Sequence, residues 1–185
     1  ISNIGKKDRQ KGMVLVNWFL DLVNYMQPDS WSMEQVQPVS SFLTVPFVEV
    51  NSADYGIPQT RKRIFAGEGW SIEPTHDQHF SFIDALPHIR KELIIDSRIV
   101  SRRRKVGEKP QSYSPFKPAH TITRLPHIIE TNGSVVRALT LKESCTLQGW
   151  RSMRFPDKMK MGSKKIIVGN MVNPIILQRI MEGLI

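Results

Sequence analysis

The sequence predicts an α/β protein in which helices alternate with the strands of a layered sheet. In the first 70 residues, one segment of helical periodicity is followed by three short apolar runs of strand character. Helical periodicity returns near residue 137, whereas 71–136 is broken by prolines and short apolar islands. We therefore expect a sheet domain built from 1–70 and 137–185, with a small, mostly irregular α+β lobe at 71–136.

The first predicted helix covers residues 12–26 and is expected to be mostly buried. Its apolar stripe recurs at helical spacing and consists of Met13, Val16, Leu20 and Val23. Pro28 ends the helix because proline cannot continue the hydrogen-bond ladder. Residues 1–11 are polar and basic, so we expect a loop there.

Three short strands are predicted after this helix, at 31–36, 47–50 and 63–66. One or two helical turns are expected at 38–43, between the first two strands. The third strand should stop at Gly67, since glycine weakens a strand.

Two helices and one strand are predicted in the C-terminal segment. Thr140 and Glu143 have the spacing of a capping box, so a helix should begin there and stop at Gly149. A short strand is expected at 165–168. A last helix should then be capped by Asn173 and pack along one face, formed by Ile176, Ile180 and Leu184.

Composition restricts the classes of function. The 185 residues carry a net charge of +9, which favours a polyanionic partner such as nucleic acid, although a basic surface can also serve solubility alone. Ten Lys and Arg against four Asp and Glu lie within 84–125. The single cysteine excludes an internal disulfide and a cysteine-based zinc site, and no metal site is predicted. No apolar run is long enough to cross a membrane.

The most informative stretch is 59–63, where Gln59, Arg61 and Arg63 alternate. If 59–65 is one extended strand, the three side chains lie on one face. A glutamine and two guanidiniums on one face suit a carboxylate, a phosphate or a base edge. A solvated basic strand is the alternative interpretation.

This stretch belongs to one of five segments that resemble, in the same chain order, motifs of the DNA (cytosine-5) methyltransferases. The first is Met-Glu-Gln-Val at 33–36, and the second is Ala-Asp-Tyr-Gly-Ile-Pro-Gln-Thr-Arg-Lys-Arg at 53–63. The third, Lys-Pro-Ala-His-Thr-Ile-Thr at 117–123, is similar to part of the family's target-recognition domain. The others are the Arg-Ala-Leu-Thr helix from 137 to 149, with Phe-Pro-Asp at 155–157, and Val-Gly-Asn-Met-Val-Asn-Pro at 168–174.

The resemblance implies part of a Rossmann-like, S-adenosylmethionine-dependent methyltransferase sheet carrying a target-recognition lobe. The implied reaction is transfer of a methyl group to C5 of a flipped cytosine in double-stranded DNA, as in restriction–modification. Glu34 matches the carboxyl group that hydrogen-bonds N3 and the exocyclic amine of the base, and Arg63 matches the arginine that approaches O2. Glu34 is expected at a strand end, and its structural alternative is an ion pair with Arg63; both roles can hold at once. Gln59 and Arg61 are expected to shape the site.

DNA and cofactor contacts are implied at three places. Arg102, Arg103 and Arg104 suit phosphates, although a solvated surface explains them nearly as well. Base edges would be read by a loop that holds Lys117, His120, Thr121 and Thr123. Asn170 and Val172 match the segment that closes over S-adenosylmethionine, although Asn170 could instead only cap a helix. Arg137 and Cys145 are expected to be structural, the cysteine as a core residue.

The sequence departs from the family in what it lacks. There is no Pro-Cys-Gln nucleophile loop, no Gly-rich cofactor loop and no acidic residue for the ribose. Gln35 replaces the family's asparagine, and Met171 stands where many relatives have a small residue. We therefore expect a C-terminal portion that is inactive and poorly stable alone and that needs its N-terminal half, on the same chain or as a separate subunit.

Two alternatives to a catalytic role are a non-catalytic DNA-binding module and a degraded methyltransferase remnant. The expected location is cytoplasmic for a prokaryotic or viral source and nuclear for a eukaryotic one.

Overall fold

The computed structural model describes residues 9–89, 94–96, 114–122, 127–129 and 135–184. The helices are α1 (Arg9–Met26), α2 (Phe82–Ala85), α3 (Leu141–Leu147), α4 (Met161–Asn170) and α5 (Pro174–Glu182). The strands are β1 (Trp31–Val36), β2 (Phe47–Asn51), β3 (Gln59–Thr60), β4 (Lys62–Glu68), β5 (Ile94–Asp96), β6 (Ala119–His120), β7 (His127–Ile129) and β8 (Val135–Ala138). Short 3₁₀ helices cover Gln37–Phe42 and Ser52–Tyr55.

The chain divides into two compact units. The first unit comprises 1–50, 62–72 and 179–185, and the second comprises 51–61 and 73–178. The second unit thus contains both the predicted lobe and most of the C-terminal segment. The predicted boundaries between the sheet domain and the lobe, at residues 70 and 137, remain a prediction.

A three-stranded sheet with the order β1-β4-β2 organises the first unit. β1 and β4 run antiparallel, with Glu34 opposite Phe65 and Val36 opposite Arg63. The three strands and the helical turn at 37–42 confirm the elements predicted for this part of the chain, although β4 continues through Gly67 to Glu68 instead of stopping at Gly67. β1 lies at one edge of this sheet, so one of its flanks has no neighbouring strand among the described residues.

Helix α1 is longer and more exposed than predicted. It begins at Arg9, inside the segment expected to be a loop. Val16 is fully buried in a cluster with Met33 and Ile64, but Trp18 is 61% and Tyr25 is 85% exposed. The prediction of a mostly buried helix is therefore wrong. The apolar residues of α1 lie on several of its sides, whereas a packed partner covers only one stripe of a helix.

The second unit has its own core and two small sheets. Its buried cluster is formed by Phe82, Leu86, Ile89, Ala119, Ile122, Leu139 and Leu147. β3 pairs in parallel with β6, which sets Gln59 opposite Ala119 and Thr60 opposite His120. β5, β7 and β8 form an antiparallel sheet. These strands give the predicted lobe its regular structure.

The predicted cap of α3 is confirmed. The Thr140 amide donates to the Glu143 carboxylate at 2.7 Å, and the Glu143 amide donates to Thr140 Oγ1 at 3.2 Å. The helix ends before Gly149, whose φ of 80° lies in the left-handed region that favours glycine.

The predicted strand at 165–168 is wrong, because these residues belong to helix α4. Ile166, Ile167 and Val168 favour strands by their branching, yet only Val168 is buried. The backbone instead makes helical bonds such as Met171 N–H to Ile167 O at 2.9 Å. Tertiary context has overridden the local preference.

Helix α5 begins as predicted, with Asn173 Oδ1 accepting from the Ile175 amide at 3.0 Å. Ile176 and Ile180 are buried, but the prediction for Leu184 is wrong. Leu184 lies beyond the end of the helix at Glu182 and forms a backbone bridge with Trp70.

Glu143 should make the stability of the chain depend on acid pH. Burial favours the neutral carboxyl, but hydrogen bonds from Arg137, His88 and Thr140 outweigh it and hold the pKa of Glu143 well below its ordinary value of 4.5. Because the folded pKa is lowered, the stabilisation is complete above about pH 4.5 and is lost as the pH falls toward the folded pKa.

We expect Glu143→Gln to lower the free energy of unfolding by about 1–2 kcal/mol at pH 7, since charged hydrogen bonds are replaced by weaker ones. The difference from the parent chain should narrow between pH 5 and pH 2, as measured by urea unfolding at each pH. Glu182→Gln, in an exposed pair with Arg179, is the matched control and should change little. A difference that stays constant with pH would contradict this account.

Candidate functional site

The first unit brings Glu34 and Arg63 together. Arg63 Nε lies 2.8 Å from Glu34 Oε1, and the two side chains are 16% and 24% exposed. They stand on the adjacent antiparallel strands β4 and β1 and reach one another diagonally across the pair. The ion pair that the sequence suggested is therefore present. Glu34 lies inside β1 rather than at its end, so that part of the prediction is wrong.

This geometry orients the carboxyl group. Arg63 contacts Oε1, and the carboxylate has no other ion pair among the described residues. Arg63 Nη1 also donates to Lys62 O at 2.8 Å, which fixes the plane of the guanidinium. The ion pair thus combines the acceptor oxygens of a carboxylate with the donors of a guanidinium. Such a pair suits a planar ligand that carries both kinds of group.

The stretch from Gln59 to Phe65 is not one continuous strand. β3 ends at Thr60, β4 begins at Lys62, and Arg61 lies between them. Gln59 is fully buried and Arg61 is 3% exposed, both in the second unit. One extended strand, the condition for one shared face, is therefore not present. The alternative of a solvated strand is wrong for Gln59 and Arg61, because both side chains are buried.

Arg61 binds the end of helix α4. Its guanidinium donates to Gly169 O at 3.1 Å, to Met171 O at 3.2 Å and, more weakly, to Gln148 Oε1 at 3.5 Å. The C-terminal carbonyls of a helix carry partial negative charge, so this position favours a cation. Arg61 thereby holds the backbone on both sides of Asn170.

Gln148 and Asn173 complete a buried network around this loop. Gln148 Nε2 donates to Val168 O at 2.6 Å, and Asn173 Nδ2 donates to Gln148 O at 2.6 Å. The ends of α3 and α4 and the start of α5 are thus tied together. The sequence analysis did not single out Gln148, because its partners are distant in the chain and no local pattern signals them.

The predicted cofactor residues stand on this braced loop. Asn170 is the last residue of α4 and is exposed, and Val172 is half-buried. The cap of α5 is supplied by Asn173, so Asn170 does not serve that helix. Gln59 Nε2 and Oε1 are both buried without a hydrogen-bond partner among the described residues.

Three of the predicted DNA-binding residues are described. Lys117 and His120 are exposed, whereas Thr121 Oγ1 donates to Thr60 O at 3.0 Å and is half-buried. Partial desolvation of its ring lowers the pKa of His120, which favours the neutral imidazole. Arg102, Arg103, Arg104 and Thr123 lie outside the described residues.

Arg137 and Cys145 have the structural roles that were expected. Arg137 makes two bonds to the Glu143 carboxylate, at 2.7 and 2.8 Å. Cys145 is buried, and burial raises the pKa of its thiol, so the thiolate form is disfavoured.

Within the described residues, no group of three His, Cys, Asp or Glu side chains is placed to hold a metal ion. None of the described helices has the length and apolar character needed to cross a membrane.

Comparison with known proteins identifies relatives. No model of a known protein family matches the chain. Over 181 residues it is 30% identical to the type II methyltransferase M1.HphI of Haemophilus parahaemolyticus, an alignment that covers 74% of this chain and 46% of the relative. The chain thus spans about half the length of the curated relative it matches.

The fold also matches a solved structure. A crystal structure described as a DNA modification methyltransferase encoded within a prophage of E. coli aligns with a TM-score of 0.54 and 19% identity. The alignment covers 88% of this chain and 70% of that one, which confirms the predicted methyltransferase-like α/β fold. The chain is thus similar in sequence to a type II methyltransferase and shares the fold of a DNA modification methyltransferase.

Proposed function

We propose that the chain is the C-terminal portion of a DNA (cytosine-5) methyltransferase, acting on a flipped cytosine in double-stranded DNA. The observation that carries this proposal is the Glu34–Arg63 pair, in which a carboxyl group is oriented beside guanidinium donors at 2.8 Å. The similarity to a type II methyltransferase and to a DNA modification methyltransferase supports the broader class.

The pair suits the chemistry of cytosine. The base becomes reactive at C5 only when a nucleophile adds at C6 and negative charge moves onto the ring and its N3. Glu34 would accept a hydrogen bond from the exocyclic amine through one oxygen and share a proton with N3 through the other, and that proton would stabilise the charge on N3. Arg63 holds the carboxyl group and can direct its remaining donors at O2. Donors and acceptors fixed in advance lower the barrier because they need no reorganisation during the reaction.

S-adenosylmethionine is the proposed cofactor and would supply an electrophilic methyl group. The residues present fit one side of such a ligand: the exposed amide of Asn170 offers polar contacts, and the half-buried Val172 offers an apolar one. Arg61 and Gln148 fix the backbone that carries both residues. The Met171 carbonyl accepts a hydrogen bond from Arg61, so Met171 helps to fix this loop through its backbone.

The nucleophile must come from elsewhere, because Cys145 is the sole cysteine and is buried. We propose that an N-terminal half, on the same chain or as a separate subunit, supplies a Pro-Cys loop and the rest of the cofactor site. Two features of the first unit favour such a partner. β1 has one flank without a neighbouring strand among the described residues, and α1 exposes Leu15 and Trp18.

The test is to combine this chain with a second chain that carries a Pro-Cys loop and a Gly-rich cofactor loop. Duplex DNA and S-adenosylmethionine with a labelled methyl group are added, and the nucleosides are then analysed. We expect 5-methylcytosine. Cys145→Ala, which removes a buried thiol, should still support the transfer.

Each other result has a definite meaning. Methylation at N4 of cytosine or N6 of adenine would overturn the cytosine-5 assignment. Salt-dependent duplex binding without any transfer, from a complex shown to be complete, would indicate the non-catalytic module instead.

A further inference from the structure

The segment that leads into α4 carries a concentration of positive charge that the proposed catalytic role does not use. Residues 151–165, here called the basic segment, contain six Lys and Arg against one Asp. The basic residues are Arg151, Arg154, Lys158, Lys160, Lys164 and Lys165. The first four are exposed and the last two are half-buried.

Local contacts hold the basic segment in one conformation. The Met159 amide donates to Pro156 O at 2.9 Å, which closes a turn. The Lys164 ammonium lies 5.7 Å from the centroid of the Phe155 ring, so the helix and the turn are in contact. Cys145 Sγ lies 4.0 Å from Met153 Sδ, which anchors the start of the segment to α3.

The charges of the basic segment have no ion-pair partner in the part of the chain that the structure describes. Lys160 is the N-cap of α4, and the first turn of that helix has no acidic residue. Lysines at the start of a helix oppose its dipole. The arrangement therefore does not serve the stability of α4, and it suits an external polyanion.

We propose that the basic segment is a second phosphate-contact surface for duplex DNA, separate from the predicted recognition lobe. This rests on the proposed function, which makes DNA the partner. Lys160 to Lys165 span about 7.5 Å of helix axis, which is about two phosphate steps of one strand at roughly 3.4 Å each. Contacts of this kind add affinity and position the duplex without reading its sequence.

The test compares two triple variants of equal net charge. Lys160, Lys164 and Lys165 are replaced by glutamine in one variant, which lowers the charge from +9 to +6. The control variant replaces Lys62, Lys142 and Arg179, three exposed basic residues, and reaches the same +6.

Binding of the chain, combined with the N-terminal half proposed above, to a labelled duplex is measured by fluorescence anisotropy across a range of salt concentrations. We expect the segment variant to lose about tenfold or more in affinity and its log–log salt slope to become shallower by about 2, at roughly 0.9 per phosphate contact. The control variant should stay within about twofold of the parent chain, since basic residues that contact no phosphate release no counterions on binding.

An equal loss of duplex affinity in both triple variants, or no loss of affinity in the segment variant, would overturn the proposed surface and leave DNA as the partner. No duplex binding by the parent chain in that complex would overturn the proposed DNA substrate itself. If the segment variant loses binding to anionic phospholipid vesicles but keeps its affinity for the duplex, the basic segment contacts a lipid surface, and the proposed DNA-contact surface is overturned. If the triple variant fails to fold, the exposed pair Arg154→Gln and Lys158→Gln tests the same prediction with one charge fewer removed.

Discussion

Replacing Arg61 with alanine is expected to lower the free energy of unfolding by about 3–5 kcal/mol. The guanidinium is 3% exposed and donates to Gly169 O and Met171 O at 3.1 and 3.2 Å. Without it, buried acceptors lose their donors, at about 1–3 kcal/mol each, and a cavity replaces the side chain. Urea unfolding followed by tryptophan fluorescence measures the loss.

Arg61→Lys separates charge from geometry. Lysine keeps the positive charge but cannot reach several acceptors in one plane, so we expect about 1–3 kcal/mol of destabilisation. Arg179→Ala is the matched control, because Arg179 is exposed and pairs with Glu182 one turn along α5. Its loss should be within about 0.5 kcal/mol. A loss below about 1 kcal/mol for Arg61→Ala would show that the buried contacts do not stabilise the fold.

Replacing Glu34 with alanine is expected to lower kcat of the completed methyltransferase by about 10²–10³-fold, the usual cost of removing one preorganised group from a transition state. Glu34→Gln keeps the size of the side chain and one acceptor, so its loss should be smaller. The affinity for duplex DNA should change little, because phosphate contacts dominate it. Single-turnover methyl transfer and DNA titration measure the two quantities.

A purely structural ion pair would behave differently. Loss of the half-buried Glu34–Arg63 contact at 2.8 Å would then lower stability while the transfer rate of the folded fraction stayed unchanged. Glu49→Gln is the matched control, since Glu49 is an exposed carboxylate on β2 that pairs with Lys62 at 3.0 Å. Its transfer rate should equal that of the parent chain. Equal rates for the Glu34 and Glu49 variants would end the catalytic assignment.

Local signals in the sequence were sufficient for much of the fold. The cap formed by Thr140 and Glu143 and the start of α5 at Pro174 were predicted because each depends on residues three or fewer positions apart. The Glu34–Arg63 pair was also predicted, because two neighbouring strands and a resemblance pointed to it.

Other features depend on partners that no local pattern reveals. Arg61 was expected to offer its donors to an external anion, whereas it uses them on Gly169 and Met171. α4 was missed because its branched residues favour a strand when read alone. The strands β5 and β7 are each three residues long, too short for periodicity to show.

The hydrogen bonds of the α3 cap and those of Arg61 differ in how far apart their partners lie along the chain, and this difference has a consequence for folding. The cap of α3 joins residues three positions apart, so it can form from local contacts early in folding. The contacts of Arg61 close loops of 87, 108 and 110 residues, and the entropy of closing them delays their formation. Interactions made late slow unfolding far more than they speed folding. Arg61 thus governs how long the folded chain persists rather than how quickly it forms.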